Sequence, residues 1–460
     1  MNGFRHLMLR TTSDRIRSLV LCVALSACVV GHFDPAVAQT ATPPPLIPPL
    51  TSALPSGVGS LTLGQWLLTP TLGLYGLYDT NVHSNVTAPL SGPGFHIHPA
   101  LLADFNTGIF DTSLYGNIDS VIYPTLDPAN NTFDRQAGFI QKYSPLPDLV
   151  FSAQGDYTHA TNANVIANST TPSVASSSTP ITSPASPALP GAAGVTASQQ
   201  TVVDPNDTYT GTFGVYKEFN RAFIRLGASI AETNYEMSPT TQNYGLKTYN
   251  GSGGYWLTPL LFAFGNGSQS FETPAVGSAE SFYQVRGGIG SDKISFFQGS
   301  IYYGQQGTEV ADGGGAAGGN LYGGIISYFP TDPWNMSFAV DRYRNISNIT
   351  GTSNLAQGGL GLAGAGISAS ESTQSTAYTF RSNYQFSEQT TVFGVVSDTH
   401  IDFIGQPWVV NSWLASMGIR HQLRQNVSLT FDYQYIRYIS NQPLTSFTRN
   451  LVSVGAIYSF

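Results

Sequence analysis

Beyond residue 28 this chain contains no cysteine; Cys22 and Cys28 are the only two in 460 residues. Disulfides, thiolate metal sites and cysteine nucleophiles are thereby excluded from everything downstream. Charge is also scarce, at 10 % of residues, and its balance is acidic, with a formal net charge of −8. Nucleic acid is not an expected partner at that balance. No apolar run of about 18 residues follows the N-terminal segment, which excludes helical membrane spans. What the chain has instead is glycine (48), tyrosine (24) and phenylalanine (26). Its mean hydropathy of −0.03 is what interleaved apolar and polar positions produce.

The N-terminus reads as a secretory signal. Arg5, Arg10, Arg15 and Arg17 form a basic start, residues 18–31 an apolar stretch, and Ala36-Val37-Ala38 a small-residue cleavage site. The apolar stretch is shorter than the roughly 20 residues a spanning helix needs. Leu25-Ser26-Ala27-Cys28 offers a rival, lipidation at Cys28. Cleavage after Ala38 is favoured, because the apolar run continues past Cys28. Loss of residues 1–38 removes four arginines and two aspartates and takes the net charge to −10. Residues 39–64 are proline-rich and polar, an extended periplasmic lead-in.

From residue 65 to 460 the chain is a series of amphipathic segments with a period of two, the signature of strands. In 427–435, Val427, Leu429, Phe431, Tyr433 and Tyr435 face one side, while Ser428, Thr430, Asp432 and Gln434 face the other. Segments 221–230, 334–341 and 376–386 behave alike. Eight short links alternate with nine longer ones, the longest spanning 160–206. One short link is expected at Ser291-Asp292. Short periplasmic turns alternating with long external loops define a transmembrane antiparallel up-and-down β-barrel. The fold class is therefore all-β, with about 18 strands, plus or minus two. The 160–206 segment is Ser/Thr/Ala/Pro-rich and nearly uncharged. It is expected to lie outside the barrel, with inward folding as a constriction the alternative. Trp334, Trp413, Tyr384, Phe386, Tyr458 and Phe460 fit aromatic girdles.

The final strand, 451–460, places Val452, Val454, Ala456, Tyr458 and Phe460 on one face. It resembles the closing strand of bacterial outer-membrane barrels, in which a terminal aromatic is read by the barrel assembly machinery. Thr69–Val82 (TPTLGLYGLYDTNV) resembles the opening strand of the type 2 family of β-barrel porins, through Pro70, Leu72, Tyr78, Asp79, Asn81 and Val82. The resemblance covers 65–460, and the long 160–206 segment departs from it. It implies an outer-membrane location, associated with exopolysaccharide or capsule synthesis, and polymer export with periplasmic export components as partners.

Arg225, Arg286, Arg381 and Arg420 fall on expected lumen faces, as do Asp104, Asp156, Asp341 and Asp432. Charge on the lipid face costs roughly 2–4 kcal/mol at mid-membrane for Arg or Lys, so these belong inside. They either tune passage of polysaccharide or small solutes, or form Arg–Asp pairs that satisfy the interior; the two are compatible. Asp79 and Asn81 could bind a cation or a sugar hydroxyl, but their side chains more simply close their own turn. His96 and His98 share a strand face, yet no third ligand is evident, so no metal is expected. No cofactor is expected either; Gly313–Gly319 does not join a strand to a helix. Ser397, Asp398 and His400 have hydrolase residue types, but Ser397 lies on the opposite face, so no enzyme is expected. Three function classes follow: a porin-like channel linked to exopolysaccharide export, a plugged structural or adhesion barrel acting through external loops, and, remotely, an outer-membrane hydrolase.

Overall fold

The computed structural model describes residues 61–460 except 83–88, 162–204, 237–242, 276–278, 311–316, 332, 348–370, 404–406 and 442–445. The signal, most of the lead-in and most of the 160–206 segment lie outside the described residues. Nineteen strands follow in order: β1 Leu61–Leu63, β2 Trp66–Asp79, β3 Gly92–Asn106, β4 Phe110–Ile122, β5 Thr132–Leu146, β6 Leu149–Ala160, β7 Asn206–Phe219, β8 Ala222–Tyr235, β9 Tyr244–Trp256, β10 Leu261–Pro274, β11 Glu280–Ile294, β12 Phe297–Val310, β13 Ala317–Thr331, β14 Trp334–Ser347, β15 Glu371–Ser387, β16 Thr390–Phe403, β17 Val409–Arg424, β18 Val427–Ser440 and β19 Phe447–Ser459.

Strands β2 to β19 each pair antiparallel with their sequence neighbours, and β19 pairs back onto β2, closing an 18-stranded barrel. The expected count is met. The short β1, inside the segment read as lead-in, pairs with Trp66–Leu68 at the seam. There the β19 ladder has ended at Ser459–Thr71, so β1 covers an edge that would otherwise be open. The turn expected at Ser291-Asp292 falls instead at Ser295-Phe296. A bulge between Ser291 and Ile294 lets β11 run on, and Ser295 takes the left-handed backbone (φ 57°) that a two-residue turn requires. Asn220 (φ 51°) does the same between β7 and β8.

The register assigns every side chain to a wall face. Outward positions of the middle third are apolar and exposed: Leu74, Leu226, Val285, Ile301, Phe338, Met417 and Val454 are examples. Aromatics mark the rim of the short turns, among them Tyr255, Phe297, Tyr384, Phe386, Tyr458 and Phe460. At the other rim stand Tyr78, Tyr249, Tyr378 and Trp413. From Val427 to Arg437 is ten residues; at about 3.3 Å per residue and about 40° of tilt this gives an apolar belt about 25 Å tall.

The pattern then inverts along single strands. In β16, Val392 and Val396 point outward and Ser397 inward. Two residues on, Asp398, His400 and Asp402 point outward, while Ile401 and Phe403 point inward and are buried. Arg437 and Tyr438 repeat the switch in β18. In β16 the wall is apolar outside and polar inside below the switch, and polar outside and apolar inside above it. The interior at that level therefore holds apolar clusters. One cluster joins Ile401, Phe403, Val410, Leu414, Ile436, Tyr438 and Phe447. A second joins Leu77, Val82, Val121, Tyr123 and Leu451. The uniformly polar lumen face implied by the sequence needs correcting here: where the outer wall leaves apolar surroundings, burial favours apolar side chains inside.

Candidate functional site

The interior between these levels is the candidate site. Arg225, Arg286, Arg381 and Arg420 point inward, as do Asp104, Asp156, Asp341 and Asp432. The Arg–Asp pairs expected as the bland reading do not form: among the described residues, none of these arginines makes an ion pair with these aspartates. Three of the acids are held by neutral donors. Ser113 Oγ donates to Asp104 at 2.6 Å, and Tyr115 Oη and Gln136 Nε2 donate to Asp156 at 3.0 and 3.1 Å. Tyr302 Oη donates to Asp341.

The arginines lie against rings instead, Arg225 5.6 Å from the centroid of Tyr216 and Arg286 4.7 Å from that of Tyr302. Nε and Nη2 of Arg225, Nε and Nη1 of Arg286, and Nε of Arg420 have no protein hydrogen-bond partner. Both carboxylate oxygens of Asp432 are in the same position. Leaving a buried ionised group without a partner costs several kcal/mol, so these atoms need water or a solute ion.

Large inward rings are flattened against the wall. Tyr75, Tyr115, Phe223, Phe262, Phe264, Tyr302 and Phe393 each lie over a glycine directly across the ladder: Gly455, Gly138, Gly254, Gly290, Gly288, Gly323 and Gly418. A Cβ on any of these glycines would fall 2.1–2.6 Å from the facing side chain. Glycine is thus the residue that lets the ring lie along the wall rather than across the lumen. Five of these side chains and neighbours, Phe223, Phe262, Phe264, Tyr302 and Leu321, join in one cluster.

The opening motif turns out to clasp the seam. Asp79 has no exposed surface and accepts from Arg449 Nε at 3.1 and 3.0 Å, and from Arg449 Nη2. The amide of Asn81 donates to Asp79 at 2.9 Å, and Asn81 Nδ2 donates to the Thr448 carbonyl at 3.4 Å. Tyr78 points outward, half exposed. The Pro70 carbonyl accepts from the Phe460 amide at 3.1 Å, and Tyr458 and Phe460 meet edge-on at 4.7 Å. In the structure the turn residues therefore bond to one another and to β19. Their partner Arg449 escaped the sequence reading; barrel closure, which sets β19 beside β2, was the available signal.

The chain has no match among family models or curated proteins. In fold alone it is similar to solved structures that include a porin and a receptor. A BenF-like porin from Pseudomonas fluorescens Pf-5 is 11 % identical, with a TM-score of 0.45, over 85 % of this chain and 99 % of that one. OpdL from Pseudomonas aeruginosa is 11 % identical, with a TM-score of 0.44, over 86 % and 100 %. The siderophore receptor PirA from the same organism is 9 % identical, with a TM-score of 0.41, over 85 % and 80 %.

The hydrolase grouping is not assembled. Ser397 points inward and shares a 3.1 Å hydrogen bond with Thr379. Asp398 and His400 are on the outer wall, where His400 contacts Asn411 (2.7 Å) and Asp402 (3.2 Å). His96 and His98, by contrast, do gain a third potential ligand, Asp119 from β4.

Proposed function

We propose that this chain is a porin-like outer-membrane channel with a hydrated lumen. The observation that carries the reading is the set of inward charged atoms without protein partners, on Arg225, Arg286, Arg420 and Asp432. A dry interior would not retain them. Bilayer insertion is supported by the belt, about 25 Å tall, and by the inversion of polarity at its upper edge. Outer-membrane lipid and the barrel assembly machinery are the partners this placement requires. The unpaired guanidinium groups of Arg225 and Arg286 favour anionic solutes, because Asp104, Asp156 and Asp341 are engaged by neutral donors.

The finer reading, export of an exopolysaccharide pushed from the periplasm, rests on the family resemblance of the opening strand. The anion preference suits an acidic polymer. The test is a reversal-potential measurement in a salt gradient, with neutral and acidic oligosaccharides added in turn. Anion preference that falls in the Arg225→Gln/Arg286→Gln/Arg420→Gln variant supports the lumen assignment. Block by acidic sugars supports the polymer; insensitivity to both sugar classes removes it and leaves a small-solute channel.

A further inference from the structure

The interior also holds a constellation that the channel reading does not use. His96 and His98 stand two apart on β3, so both imidazoles face the lumen. Asp119 faces them from β4, at a position between the register pairs Ile97–Ser120 and Ala100–Asn117. His96 Nε2 is 2.8 Å from Asp119 Oδ1, and His98 Nδ1 is 3.4 Å from Asp119 Oδ2. One potential ligand atom from each residue lies within 4.8 Å of the others.

We propose that His96, His98 and Asp119 form a binding site for a divalent first-row transition ion, of which Zn²⁺ is the type. Donor chemistry argues for this class: two imidazoles and one carboxylate suit Zn, Cu, Ni or Fe, and disfavour Ca and Mg. The dimensions agree. Ligands held at about 2.0–2.1 Å around a tetrahedral ion are about 3.3 Å apart; the edges of 2.8 and 3.4 Å, to the two oxygens of Asp119, lie within about half an ångström of that, and all three ligand atoms lie within 4.8 Å of one another.

A purely hydrogen-bonded triad accounts for the site less well. His98 is 6 % exposed, and neither of its ring nitrogens has a hydrogen-bond partner; its 3.4 Å approach to Asp119 is an ion-pair contact only. An imidazole buried in that state costs stability unless a ligand satisfies it. The ring of Tyr75 stacks on His96 at 4.9 Å and fixes its plane. Asp134 pairs with Asp119 across the next ladder and also faces inward, adding a second negative charge beside the ion. The Asp119 side chain is 25 % exposed and leaves an approach from the lumen. Three protein ligands leave a fourth position for water or a solute group, the arrangement of an open site.

The test is Zn²⁺ titration by calorimetry of the tag-free, refolded full chain, together with the His98→Ala, Asp119→Asn and Asp207→Asn variants. Asp207 is the control, because His159, Asp207 and Glu236 form a second candidate group among the described residues, on the outer wall. The site predicts one ion per chain, weakened about tenfold or more by His98→Ala and Asp119→Asn and unchanged by Asp207→Asn. No binding, binding indifferent to His98→Ala, or binding lost only in Asp207→Asn would overturn it. Wild-type protein loaded with Co²⁺ guards against misfolded variants: an intense visible ligand-field band is expected, and an octahedral, water-like spectrum contradicts the site.

Discussion

Removing one partner of the seam clasp should loosen the barrel where its ends meet. Nine register pairs join β19 to β2, against fourteen on the opposite edge of β2, so the seam has a short ladder to rely on. Its end nearer the long links is held by Asp79 and Arg449, both buried. The Asp79→Ala variant removes three charge-assisted contacts and the anchor of the Asn81 amide, and strands the Arg449 guanidinium among apolar neighbours such as Leu77 and Leu451. Breaking a buried pair in this way costs about 3–5 kcal/mol, whereas replacing both members by apolar residues is often close to neutral. We therefore expect Asp79→Ala and Arg449→Met each to lose about 3–5 kcal/mol, and Asp79→Leu/Arg449→Met to recover most of it. The assay is urea unfolding in lipid vesicles, analysed as a double-mutant cycle. Hydrogen exchange at the Thr80 amide, which donates to the Asn450 carbonyl at 3.0 Å, and at the Asn450 amide, which donates to Thr80 Oγ1 at 2.8 Å, reports the seam itself. Single-variant losses below about 1 kcal/mol that simply add would refute the clasp.

Other consequences are equally direct. Ile301→Arg, on the exposed lipid-facing wall, should cost about 2–4 kcal/mol in vesicles, while Gln284→Arg on the lumen face of the adjacent strand should alter ion selectivity and leave unfolding nearly unchanged. Gly290→Val would drive a Cβ to 2.1 Å from Phe262 and push the ring into the lumen; a loss of about 1–3 kcal/mol and a lower conductance are expected, both relieved by adding Phe262→Ala. Single-tryptophan proteins retaining Trp334 or Trp413 should be quenched by lipids brominated near the headgroup, and one retaining inward-facing Trp256 should not; equal quenching of all three would contradict the face assignment.

The barrel was legible in the sequence because alternation in β18, β14 and β8 is a local property that depends only on which face meets lipid. Strand number followed from the links, since turns such as Asn220-Arg221 carry their own backbone chemistry. The bulge at Ser291–Ile294 was not legible, because a bulge displaces a turn without changing residue types nearby. The upper cores were missed for a different reason: Ile401 and Phe403 continue an alternating pattern, and only the register shows that its apolar face has changed sides. The eight charges were placed on the inward face by the energetic penalty on the other one. Their partners were not, because Tyr302, Tyr115 and Gln136 reach the acids from neighbouring strands. Asp119 and Arg449 were invisible for the same reason, being ligands and partners supplied across a ladder.

The central claim is that the interior is wet enough to conduct. Single-channel recording of the refolded chain in a planar bilayer tests it most directly. The account predicts a steady, ohmic conductance with anion preference, reduced when Arg225, Arg286 and Arg420 are neutralised. A barrel that is folded by its heat-modifiable mobility and circular dichroism, yet electrically silent across many insertions, would contradict it.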